Sequence, residues 1–66
     1  MRDYEKRRLQ ATILGIKYMQ IMKYDKYMII DNLDIIIEKL RINASNDFIN
    51  YLFDIRQKVV LDKEIN

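Results

Sequence analysis

An all-α fold, with three helices in an up-down-up arrangement, is the class this sequence predicts. Apolar residues recur at helical spacing through three segments, and no proline interrupts any of them. A charged break at Lys23-Tyr24-Asp25-Lys26 and a run of cap-forming side chains at Asn43-Ala44-Ser45-Asn46-Asp47 divide those segments. At 66 residues the chain reads as one helical domain spanning 1–66, and a domain of this size buries only about 60% of the surface its unfolded form exposes.

In the first segment Asp3 is the expected N-cap, with Tyr4 and Glu5 in the opening turn. Lys6, Arg7 and Arg8 follow unfavourably close to the positive end of the helix dipole. Leu9, Ile13 and Ile16 mark one face, Leu14 and Ile21 lie to its sides, and Tyr18, Met19 and Met22 fill much of the rest, interrupted mainly by Lys17 and Gln20. A helix apolar nearly all round is normally enclosed on several sides.

The second helix is expected from Asp25 as N-cap to about Ile42, carrying Ile29, Ile30, Leu33, Ile36, Ile37 and Leu40 as its core stripe. Met28 and Ile35 fall on the flank, while Asp31, Asp34, Glu38 and Arg41 form a wet face. A rival reading begins this helix at Asp31, with Asp34 as a capping-box-like partner, and leaves Tyr27–Ile30 extended. For the third helix Ser45 or Asn46 is the expected cap, Phe48, Leu52, Ile55 and Val59 the buried face, and Lys63–Asn66 a fraying end. Connections of about four residues imply antiparallel neighbours.

Composition removes most catalytic chemistry. The chain has no His and no Cys, so the usual acid–base group near neutral pH, a thiolate nucleophile, a disulfide framework and a thiolate metal site are all absent. Ser45 is better explained as a cap, and Thr12 has no partner base in view. Gly15 stands alone, which rules out a glycine-rich phosphate loop; it either admits a close neighbour or is simply tolerated. Asp31, Asp34 and Glu38 share one helical face where a hard cation could meet oxygen ligands, but that spacing is what an ordinary solvated face produces. No enzyme activity, cofactor or metal site is expected.

Charge is uneven along the chain. Residues 1–26 hold seven Lys/Arg against three Asp/Glu, and residues 27–66 hold five against seven. Arg2, Lys6, Arg7 and Arg8, with Tyr4 among them, could neutralise phosphates, and a dimer would present the cluster twice. A helix-turn-helix reading fits poorly, since its recognition helix would offer Asn46, Asp47, Asn50 and Asp54 to the groove. The apolar stretch Leu9–Met22 falls short of the roughly 20 residues that span a bilayer, and no membrane association is expected.

The surplus of apolar residues is the stronger functional signal. Tyr18, Met22, Tyr24, Tyr27, Met28 and Ile35 gather around the end of the first helix and along the second, beyond what three helices can enclose. The expectation is a small non-enzymatic regulator or inhibitor, cytoplasmic and completed as a homodimeric helical bundle, that binds a surface of a larger host or regulatory protein through these six side chains. Abundant Ile, Lys, Asn, Tyr and Met match an AT-rich genome, so a low-GC bacterium or its phage or plasmid is the expected source. The alternative is a dimeric nucleic-acid-binding protein using the N-terminal basic cluster.

Overall fold

The structure, a computed structural model, describes residues 1–65. Three helices run in order: α1 over Asp3–Ile21, α2 over Lys26–Leu40 and α3 over Asn46–Val60. Long-range hydrogen bonds establish their directions. At one end Glu5, in the first turn of α1, meets Ser45 at the start of α3; at the other, Gln20 near the end of α1 reaches the Lys63 carbonyl beyond α3. Lys26, at the start of α2, lies against the Val60 carbonyl and the Asp62 carboxylate. So α1 and α3 are parallel and α2 runs against both, as the short connections require.

The core lies among all three helices. Leu9 and Ile16 come from α1, Ile29, Ile30, Leu33 and Ile37 from α2, and Phe48, Leu52, Ile55 and Val59 from α3. Leu52, with no exposed surface, sits at its centre. Packing is most extensive between α2 and α3 and slightest between α1 and α2, so α1 lies against the pair with one side partly open. Asp34 on α2 and Arg56 on α3 close the outer edge of the tighter interface at 2.7 Å.

Boundaries differ from expectation at three places. Arg2, not Asp3, occupies the N-cap position of α1, and Asp3 is the first helical residue. Asp25 caps α2 as expected, accepting the Tyr27 N–H at 3.1 Å, and Tyr27–Ile30 is helical, which excludes the later start at Asp31. The helix ends at Leu40 rather than Ile42. Ser45 holds the N-cap position of α3, but its side chain makes no cap bond there.

The third difference concerns the tail. Lys63–Ile65 does not fray: Ile65 is only 4% exposed and joins the core, because the chain turns sharply after α3. Asp62 takes a left-handed conformation (φ 59°), and the Lys63 N–H bonds the Lys58 carbonyl. Asn66, the last residue of the expected frayed end, lies outside the described residues. The same motif ends α1, where Lys23 (φ 58°) turns the chain and the Tyr24 N–H bonds the Met19 carbonyl.

Candidate interaction surface

Every one of the six expected binding residues is exposed. Tyr18, Met22, Tyr24, Tyr27, Met28 and Ile35 range from 46% to 65% of their full accessibility, while the core closes without them. They do not form one continuous patch. Successive residues of a helix point about 100° apart, so Tyr27 and Met28 face different directions, whereas Met28 and Ile35, seven apart, share a side of α2.

Two depressions organise them. The first, about 480 Å³, runs between α1 and α2 where their packing is loosest; Arg8, Ala11, Gly15 and Met19 wall it on one side and Asn32, Ile35 and Ile36 on the other. Of the six, Ile35 lines it; Tyr18 on α1 follows Gly15 by three residues and Met28 on α2 precedes Asn32 by four, which puts both on the same sides of their helices, and Met22 is the C-cap of α1. The second, about 530 Å³, lies at the opposite end of the molecule from the Glu5–Ser45 contact, between Lys17, Ile21, Tyr24, Lys26 and the turn at Asp62. Tyr24 belongs to this second depression, and the ring of Tyr27 lies near the Lys26 ammonium, 5.7 Å from its centroid.

Gly15 has a specific environment. Among the described residues a Cβ added there would meet no atom within 4 Å beyond its own stretch of helix, so none of them requires the glycine for close approach. Leu14, Ile21, Ile42, Tyr51, Phe53 and Leu61 are exposed as well, so the apolar surplus is wider than the six residues singled out by sequence.

The N-terminal cations do not assemble into one patch. The Arg2 guanidinium donates to the Asn43 carbonyl at 2.6 Å and to the Tyr4 hydroxyl at 3.2 Å, tying the chain start to the α2–α3 connection. Lys6, Arg7 and Arg8 are consecutive on α1 and radiate to three sides, and Arg8 lines the α1–α2 groove. Of the three acids considered as oxygen ligands, Asp34 is engaged by Arg56, and no three Asp or Glu converge among the described residues. Thr12 donates its hydroxyl to the Arg8 carbonyl one turn back.

The polar centre that sequence reasoning missed is Glu5. It has no exposed surface, and its carboxylate accepts the Arg2 N–H at 2.8 Å, the Ser45 N–H at 2.8 Å and the Ser45 hydroxyl at 2.7 Å. Burial pushes this carboxyl up, but the bonds from Arg2 and Ser45 and the Arg2 charge outweigh it and hold the group down to about 2. Placed by sequence only in the opening turn of the first helix, Glu5 staples the N-termini of α1 and α3. Its position three residues after the N-cap carries the local half of the signal, obscured by placing the cap at Asp3.

Among the described residues no helix is long and apolar enough to cross a membrane. Comparison of the chain with protein-family models, with curated proteins and with solved structures finds no match.

Proposed function

We propose that this is a small non-enzymatic binding protein of the cytoplasm that regulates or inhibits a larger protein by covering part of its surface, and that it acts as a homodimer. The observation that carries the reading is the exposure of Tyr18, Met22, Tyr24, Tyr27, Met28 and Ile35 outside a core that is already closed. Tyr and Met supply adaptable, low-entropy contact area of the kind that protein interfaces enrich. Charged neighbours such as Lys26 beside Tyr27 would select the partner. Composition points to an accessory protein of a low-GC bacterium or its phage or plasmid.

The alternative, nucleic-acid binding through Arg2, Lys6, Arg7 and Arg8, draws less support. Arg2 is committed to Asn43, and the other three diverge around α1.

One pair of variants separates the readings. Tyr27→Asp places a charge on an exposed apolar site, so it leaves folding within about 0.5 kcal/mol of wild type while abolishing capture of the partner protein from a low-GC bacterial lysate. Arg7→Ala with Arg8→Ala leaves that capture nearly intact. Under the nucleic-acid reading the effects reverse: duplex DNA binds with an affinity that falls steeply between 50 and 200 mM salt, and the double Arg variant loses it. Capture unaffected by Tyr27→Asp contradicts the proposal.

A further inference from the structure

We infer that the face formed by α1 and α2 pairs with the same face of a second copy, across a two-fold axis perpendicular to both helices. This rests on the reading that the exposed apolar surface serves association, and it assigns the α1–α2 side of that surface to self-pairing.

Register favours the pairing. Along the outward side of α1 and its C-cap, Tyr4, Arg8, Ala11, Gly15, Tyr18 and Met22 follow one another at alternating steps of four and three, the spacing of a helix–helix seam. The series reads the same from either end. Laid antiparallel on itself, it sets Tyr4 against Met22 of the second copy, Arg8 against Tyr18 of the second copy, and Ala11 against Gly15 of the second copy. Large residues thus meet at the ends and small ones at the centre, where Gly15 faces open space in the single chain.

On α2, Met28, Asn32, Ile35 and Lys39 form a second series with the same alternation, and it too is symmetric. Reversed on itself, it pairs Asn32 with Ile35 of the second copy, and Met28 with the aliphatic stem of Lys39 of the second copy. The midpoint of the α1 series falls between Ala11 and Gly15, and that of the α2 series between Asn32 and Ile35. All four of these residues line the groove between the two helices, so both midpoints lie at about the same height and one axis serves both seams.

Charge favours the same pairing. The last turn of α1 itself carries no basic residue, while Arg7 and Arg8 crowd toward its positive end. Antiparallel pairing places Arg8 beside Tyr18 near the C-terminal end of the second α1, where its guanidinium meets an aromatic ring and a favourable dipole. The same pairing sends the two N-terminal basic clusters to opposite ends of the dimer. A parallel pairing would stack them.

An ordinary stable interface hides about 800 Å² on each partner, roughly a sixth of this chain's 4919 Å². A helix the length of α1 is about 28 Å long and about 10 Å across, so alone it presents a footprint of only about 300 Å². With α2 beside it, about 22 Å long, the footprint rises to about 500 Å², and the relief of the groove adds to the surface that pairing buries. Both helices are therefore needed, which the shared axis provides.

The chain lacks cysteine, so single cysteines report the register directly. An equimolar mixture of Ala11→Cys and mass-labelled Gly15→Cys chains, oxidised briefly, is expected to yield chiefly the mixed disulfide; 11–11 or 15–15 products in equal or greater amount, or no cross-link, overturn the register. Gly15→Leu is expected to keep or raise its helicity and melting temperature in dilute solution, because glycine is a poor helix former and an added Cβ meets nothing among the described residues, and to weaken the dimer by about tenfold or more in sedimentation equilibrium. A dimer undiminished by Gly15→Leu, or a wild type that stays monomeric, refutes self-pairing. Tyr27→Asp should keep the dimer while losing the larger partner, so failure of self-pairing and failure of the binding function are read from different variants.

Discussion

Glu5 shows how much a single side chain of this small protein carries. A carboxylate without solvent contact is tolerated only because three donors converge on it, two from Ser45 and one from its own N-cap. Its folded-state value near 2 lies below the 4.5 of an ordinary glutamate, so folding favours the ionised form. The stabilisation is complete above about pH 4.5 and is lost as pH falls toward 2, because protonation is then easier in the unfolded chain. In urea titrations across that window wild type is expected to lose stability with falling pH, and Glu5→Gln to be less stable at pH 7 with a flatter acid limb. Equal acid limbs for the two proteins would remove Glu5 from this role. Half of the Glu5 arrangement was legible in sequence, as a Glu following a helix start; the other half comes from Ser45, forty residues on, and no local pattern announces it.

The helices themselves were largely written in apolar spacing. Phe48, Leu52, Ile55 and Val59 are the buried face of α3, and Asp25 caps α2, as their positions predict. Local patterning was weaker where the chain reverses. Lys23 and Asp62 adopt left-handed conformations in which glycine is the usual occupant, and neither residue type marks such a turn by itself. The second of these turns brings Ile65 back into the core, where sequence suggested a loose end. Among the described residues no side-chain hydrogen bond or ion pair at Lys23 offsets the conformational cost, so Lys23→Gly is expected to stabilise the protein by about 1 kcal/mol. A urea midpoint that rises at unchanged slope verifies this, and a fall shows that the turn is not strained. Asp62→Gly is a poorer test, since it also removes the partner of Lys26.

For the molecule as a whole, the governing fact is the mismatch between a compact core and a broad apolar exterior. Among the described residues eleven apolar side chains, from Leu9 to Ile65, close the interior, yet Tyr, Met, Ile and Leu remain exposed on all three helices. Sequence identified this surplus correctly at Tyr18, Met22, Tyr24, Tyr27, Met28 and Ile35, because a small three-helix domain has only so many enclosed positions. It could not divide them between faces, since that depends on how α1 leans against α2 and α3. The loose α1–α2 contact makes the division: a groove side bearing matched seams, and an end bearing Tyr24 and the Lys26–Tyr27 pair. Whether this exterior pairs with a second copy is read from light scattering coupled to size exclusion, over a range of concentrations at low and high salt. A species of twice the 8.1 kDa chain mass, favoured by concentration and not dissolved by salt, is expected. A chain that remains at 8.1 kDa at every concentration, or a dimer that salt dissociates, would contradict it.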